Sequence, residues 1–207
     1  VSAFLLNRSS DLEMPFIGGT KAPGIGGRYG AIAGKRDELV LAKNQRALNA
    51  KGKHMDWSQA TNNPGNVGNT DQGGTYIFPD LQSGLKAQRD LLKEKYTKNK
   101  KGERLTLMQM CQKYTPTCWQ TALPTWSKYS GIGVNEVPNL DDPNVMARLM
   151  KAIHIAEGSS SWVSPDEVDY ALGLKQMPEG YQKKDYRQLT EKGKALVGKP
   201  DQSTPSS

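Results

Sequence analysis

Cleaving a glycosidic bond calls for a carboxylic acid able to donate a proton near neutrality, commonly with a second carboxylate about 5 to 9 Å away. In this sequence Glu157 is the candidate acid, because it ends the strongest helical pattern in the chain. Asp71, in a turn-rich segment ahead of the core, is the candidate partner. The amides of Asn63 and Asn66, within Asn62-Asn63-Pro64-Gly65-Asn66, can hydrogen-bond a ligand. They can equally brace their own turn, as Asn beside Pro-Gly commonly does. Glu157 too has a plain alternative, as a capping or paired residue at a helix end.

Other reactive types are poorly grouped. His54 and His154 are far apart in the chain and from either cysteine, so no metal-ligand spacing exists and no metal or cofactor is expected. Cys111 and Cys118 flank a Pro-containing turn, where a local disulfide is geometrically possible and a reduced pair is the simpler reading. Trp119 and Trp126 can stack on a sugar or base, or fill a helical core, and the second use fits their surroundings better. Gly24-Ile25-Gly26-Gly27 and Gly34-Lys35 hint at a phosphate loop, but the Gly-Lys-Ser/Thr ending and a leading hydrophobic strand are missing.

The elements that would position Glu157 lie between Leu81 and Leu174, where the larger apolar residues concentrate. Thr75-Tyr76-Ile77-Phe78 is strand-like, and Asp80 is placed to cap a helix carrying Leu81, Leu85, Gln88 and Leu92 to about Tyr96. Thr106 and Gln109 form a capping box for a second helix that Pro116 ends. Trp126, Tyr129 and Ile132 mark a short third helix with Pro124 in its first turn. In the fourth, Asp142 caps, Pro143 follows, and Gly158 terminates. Ser164 and Glu167 suggest a capping box for a fifth.

The flanks read differently. Residues 1–55 are predicted as an extended Gly-rich arm with one basic helix over Asp37 to Lys51, its Lys43, Arg46 and Lys51 facing outward. Residues 56–175 are the predicted helical core, and 176–207 a basic tail, helical at most over Asp185 to Val197 and disordered from Lys199. The fold class is therefore mainly α, with a short β-like turn region. A net charge of +7 suits an acidic neighbour, whether nucleic acid, an anionic surface or an acidic protein. No run is long and apolar enough for a transmembrane segment, and the start lacks the basic-then-apolar order of a signal peptide.

Across residues 61–174 the order of motifs resembles a family of phage and prophage virion structural proteins. That family reads approximately N-N-P-G-N, then F-x-x-x-x-x-G-x-x-A, then T-x-x-x-I-x-x-W-A-P. The matching stretches are Asn62 to Asn66, Phe78-Pro79 with Gly84 to Ala87, and Leu105-Thr106-Leu107 leading to Tyr114-Thr115-Pro116. The family's Glu-Asn-Gly helix end falls on Glu157-Gly158. Val67-Gly68-Asn69 stands where an arginine is usual, and Thr117-Cys118-Trp119-Gln120 replaces a polar segment. The resemblance implies a compact core of lysozyme-like type and a place in the virion, anchored to other virion proteins through residues 1–55. It also implies an alternative, a virion-associated muramidase or transglycosylase acting on peptidoglycan during genome entry. A third role is nonspecific contact with packaged nucleic acid.

Overall fold

The structure, a computed structural model, describes residues 20–21, 24–68 and 74–197. In chain order it contains β1 (Thr20–Lys21), α1 (Gly24–Arg28), β2 (Ile32–Lys35), α2 (Arg36–Leu39), α3 (Trp57–Ala60), β3 (Gly74–Ile77) and α4 (Leu81–Leu91). These are followed by α5 (Leu107–Tyr114), α6 (Trp119–Ser130), α7 (Pro143–Glu157), α8 (Pro165–Leu172) and α9 (Glu191–Val197). The protein is mainly α. The strands form one antiparallel sheet in the order β1-β2-β3, with Ile32 opposite Ile77 and Ala33 opposite Tyr76. Among the described residues no helix is long and apolar enough to cross a membrane.

Caps and apolar stripes account for the central helices. Asp80 accepts from the Ser83 amide at 2.8 Å and starts α4, which continues through a π-helical turn at Leu92–Tyr96. Thr106 and Gln109 exchange both bonds of a capping box at the start of α5. Leu85, Leu92, Leu107, Met110, Trp126 and Leu149 then meet in one buried core. Two expectations change. Pro124 lies inside α6, not in its first turn, because the helix begins at Trp119; the carbonyl it leaves unbonded, on Gln120, belongs to an exposed residue. Tyr129 on the same helix is exposed. At α8, Ser164 makes no side-chain cap; Glu167 turns inward instead and accepts from Gln82, the Tyr181 hydroxyl and Lys184.

Residues 25–40 of the predicted arm pack on the core. Ala31 and Ala33 join the main core, and Leu39 and Val40 form a second cluster with Ala60, Ile77 and Leu189. The single helix predicted over Asp37 to Lys51 is replaced by α2, a 3₁₀ turn at Lys43–Gln45 and a loop closed by a Leu48–His54 bridge. Arg46 decides this. Predicted to face outward, it is only 2 % exposed: its guanidinium donates to the carbonyls of Leu41 and Met55 and lies 3.7 Å from the Trp57 ring centroid. An α-helix through Arg46 could not place its side chain on both carbonyls. Residues 1–19 of the predicted arm and 198–207 of the predicted tail lie outside the described residues.

Residues 181–190 form a strap across the back of the core. The Gln188 amide donates to the Ala60 carbonyl, Thr190 to Leu39, and Leu81 to Lys184. Asn62 is the rivet. At φ 52° and fully buried, it donates through Nδ2 to the Phe78 carbonyl and to Asp185, and accepts at Oδ1 from the Tyr186 amide. Asn62→Ala removes a partner from the buried Phe78 carbonyl and from the Tyr186 amide, while Asp185 keeps its bonds to Arg187, so a loss of about 2 kcal/mol is expected, read as a lower urea midpoint. An unchanged midpoint would mean that the strap is not held by this residue.

Candidate functional site

Glu157 is the last residue of α7. Asp142 caps the start of that helix and Gly158, at φ 81°, ends it, which leaves the Glu157 side chain on the terminal turn. The free carbonyls there carry partial negative charge, so a carboxylate is disfavoured even before burial. Burial then pushes the Glu157 pKa up to about 7, and among the described residues no cation or hydrogen-bond donor offsets the rise. A carboxyl kept for stability would have such a partner.

α5 supplies the wall beside it. Cys111 and Tyr114, three residues apart and therefore on one helical face, both lie close enough to feel the Glu157 charge. Burial first, and Glu157 second, push the Cys111 thiol up to about 12, so it is not a nucleophile near neutrality. The same two causes hold the Tyr114 phenol well above its usual pKa. Its hydroxyl donates to the Gly65 carbonyl at 2.8 Å, and its ring is set by Tyr96 and Trp126, with centroids 5.1 and 5.4 Å away. The Asn62 to Asn66 turn is thus tied to the wall of the acid's site.

α4 closes the cluster from behind. Gln88 is fully buried, and its Oε1 accepts from His154 Nε2 at 2.8 Å. Burial lowers the His154 pKa to about 3, so the ring is neutral near pH 7 and Nε2 carries its proton. The Gln88 amide group holds the Tyr114 pKa down slightly as a neighbouring donor, yet Nε2 falls short of hydrogen-bond geometry with any described group. Its side chain lies so near the turn that a Cβ on Gly65 would come within 2.5 Å of Gln88 Cγ. The groups shown to feel the Glu157 charge are thus a thiol and a phenol, and neither compensates a negative charge.

His154 gives the fold an acid limb. Its folded pKa is depressed below that of the unfolded chain, so the unfolded state gains a proton first and stability falls as pH drops from about 6.5 toward 3. His154→Gln keeps a donor toward Gln88 and removes the titration. Thermal melts between pH 6.5 and 4 should therefore fall less steeply for the variant; parallel curves would assign the acid limb to other groups.

The other sequence candidates divide. Asn63 braces its own turn: Oδ1 accepts from the Val67 amide at 2.8 Å, and Nδ2 donates to the carbonyls of Val67 and Tyr76 at 3.0 and 3.2 Å. Both amide hydrogens are used and the residue is buried, so it presents no donor to a ligand. Asn66, at φ 49° and partly exposed, donates its backbone amide to the Asn63 carbonyl and shapes the turn that presents Gly65. Asp71 lies outside the described residues. Trp126 is core, and Trp119 packs against it with its carbonyl accepting from Cys111 Sγ at 3.8 Å. Cys111 and Cys118 are free thiols. Among the described residues no three His, Cys, Asp or Glu side chains are grouped to hold a metal.

Sequence patterning missed both the neighbourhood of Tyr114 and Glu157 and the Gln88–His154 bond. One signal was present: Gln88 is the polar member of the otherwise apolar stripe Leu81, Leu85, Leu92. A cavity of about 180 Å³ lies elsewhere, against Lys93, Arg104 and Asp141, and shares no residue with this cluster. No protein-family model matches the chain, and no curated protein matches it.

Proposed function

We propose that the chain is a glycan-cleaving module of lysozyme-like type that acts on peptidoglycan, with Glu157 as the proton donor. The observation that supports this reading is an unpaired, partly buried carboxyl at a helix C-terminus, tied through Tyr114 and Gly65 to the Asn62 to Asn66 turn. Protonated Glu157 gives its proton to the leaving glycosidic oxygen as the carbon–oxygen bond breaks. The resulting carboxylate takes a proton from the hydroxyl that attacks the sugar cation, which restores the acid. Asp71 is the second carboxylate that the sequence offers for stabilising that cation.

The resemblance to phage virion proteins supplies the setting, a virion component that opens the cell wall during genome entry. A purely structural role through a wrapping arm has less behind it, since residues 25–40 of the predicted arm pack on the chain's own core. The test is release of soluble fragments from purified peptidoglycan. Wild type releases them, with a rate that declines above pH 7 as Glu157 loses its proton, and Glu157→Gln does not. A folded wild-type chain that releases nothing overturns the proposal.

A further inference from the structure

The segment from Lys93 to Lys113 carries seven basic and two acidic side chains, a large part of the chain's positive charge. It is a built surface. Lys98 and Arg104 face each other across a β-bridge. Within the loop they close, the Asn99 side chain accepts from the amides of Lys101 and Glu103 and donates to the Glu103 carboxylate at 2.6 Å. Lys113 donates to the Lys98 carbonyl at 3.1 Å. Glu103 is thus occupied within the loop, and Lys98 and Arg104 are presented along one edge.

That edge lines the cavity of about 180 Å³, whose floor includes Leu105, Met110 and Leu140. Lys93 enters from the end of the long helix, and Asp141 from the segment before α7. Asp141 sits among the three cations: Lys93 Nζ is 2.8 Å from one carboxylate oxygen, and Arg104 Nη2 is 3.7 Å from the other. Lys98 adds only a longer-range attraction. One monoanion therefore faces three cations, and the arginine fork is not engaged in the two-bond geometry that it favours.

We propose that this cleft binds a phosphate group, for which Asp141 is the resident substitute. All four charged side chains are exposed, so the Asp141 pairs are weak and an entering dianion displaces them readily. A phosphate offers Arg104 two oxygens and leaves a third for Lys93 and Lys98. No aromatic side chain lines the cleft, so a nucleobase finds nothing to stack on and the recognised element is the phosphate itself.

The full chain is titrated with pyrophosphate by calorimetry, with mixed-sequence single-stranded DNA as a second arm. Pyrophosphate should bind, Arg104→Ala should weaken it by about tenfold, and Asp141→Asn should tighten it by several fold because the competing carboxylate is gone. Lys100→Ala and Lys101→Ala, at the loop tip, should change affinity less than about twofold. DNA that follows the same order of variants identifies the natural source as a phosphodiester chain. Loop-tip variants that weaken binding as much as Arg104→Ala, an Asp141→Asn variant with unchanged affinity, or pyrophosphate that does not bind would each overturn the proposal.

Discussion

Glu157→Gln should make the protein more stable while it removes the proposed proton donor. The folded carboxyl titrates near 7 against an ordinary value of 4.5. Between those values the folded state holds a proton that the unfolded state has lost, so raising the pH lowers stability. The full shift corresponds to about 3 kcal/mol, and partial exposure reduces it to about 2 kcal/mol. Glutamine keeps the shape and never ionises. Wild type and variant should therefore unfold alike below pH 4.5 and separate as the pH rises, the variant being the more stable by about 2 kcal/mol near pH 8. Under the proposed function, loss of the general acid lowers the cleavage rate by about 10² or more. A variant that is less stable at pH 8 would place the carboxyl in a favourable pairing, which is the opposite of the site described above.

Gly84→Ala should destabilise the fold strongly. On propensity alone, alanine in the middle of α4 would be favourable by about 1 kcal/mol. The added Cβ, however, would lie 1.9 Å from the Asn62 carbonyl oxygen and 3.1 Å from Pro64 Cδ. The close contact is backbone on both sides, so neither can rotate away. α4 and the Asn62 to Asn66 turn must separate, which opens the Tyr114–Gly65 hydrogen bond and frees the wall beside Glu157. A loss of at least about 3 kcal/mol is expected, with cleavage falling as well. Gly158→Ala is the contrast: its φ of 81° is strained for alanine, but no atom lies within 4 Å of the new Cβ. Its loss should be near 1 kcal/mol. Urea midpoints for the two variants separate packing from backbone strain, and equal losses would remove the case for contact at Gly84.

Local chemistry in the sequence specified the central helices well. Asp80, Thr106 with Gln109, and Asp142 with Pro143 mark helix starts in α4, α5 and α7, because each cap is made within a few residues of itself. Elements held by distant partners left no such mark. β2 is short and small-residue, and becomes a strand only against β3. Arg46 reads as a surface cation until Trp57 and Met55 are seen beneath it. The strap was read as a tail because its anchor, Asn62 to Asp185, joins residues 123 positions apart. At the candidate site Glu157 was visible from its helix end, whereas the Gln88–His154 bond spans 66 residues and is a product of packing alone.

The central claim is that Glu157 holds a proton near neutrality because its site offers nothing to replace the water it loses. Carbon-13 NMR of the glutamate side-chain carboxyls, assigned by comparison with Glu157→Gln, follows that proton directly. The account predicts that this carboxyl titrates near pH 7. A Glu157 resonance that titrates near the ordinary value of 4.5 would contradict it.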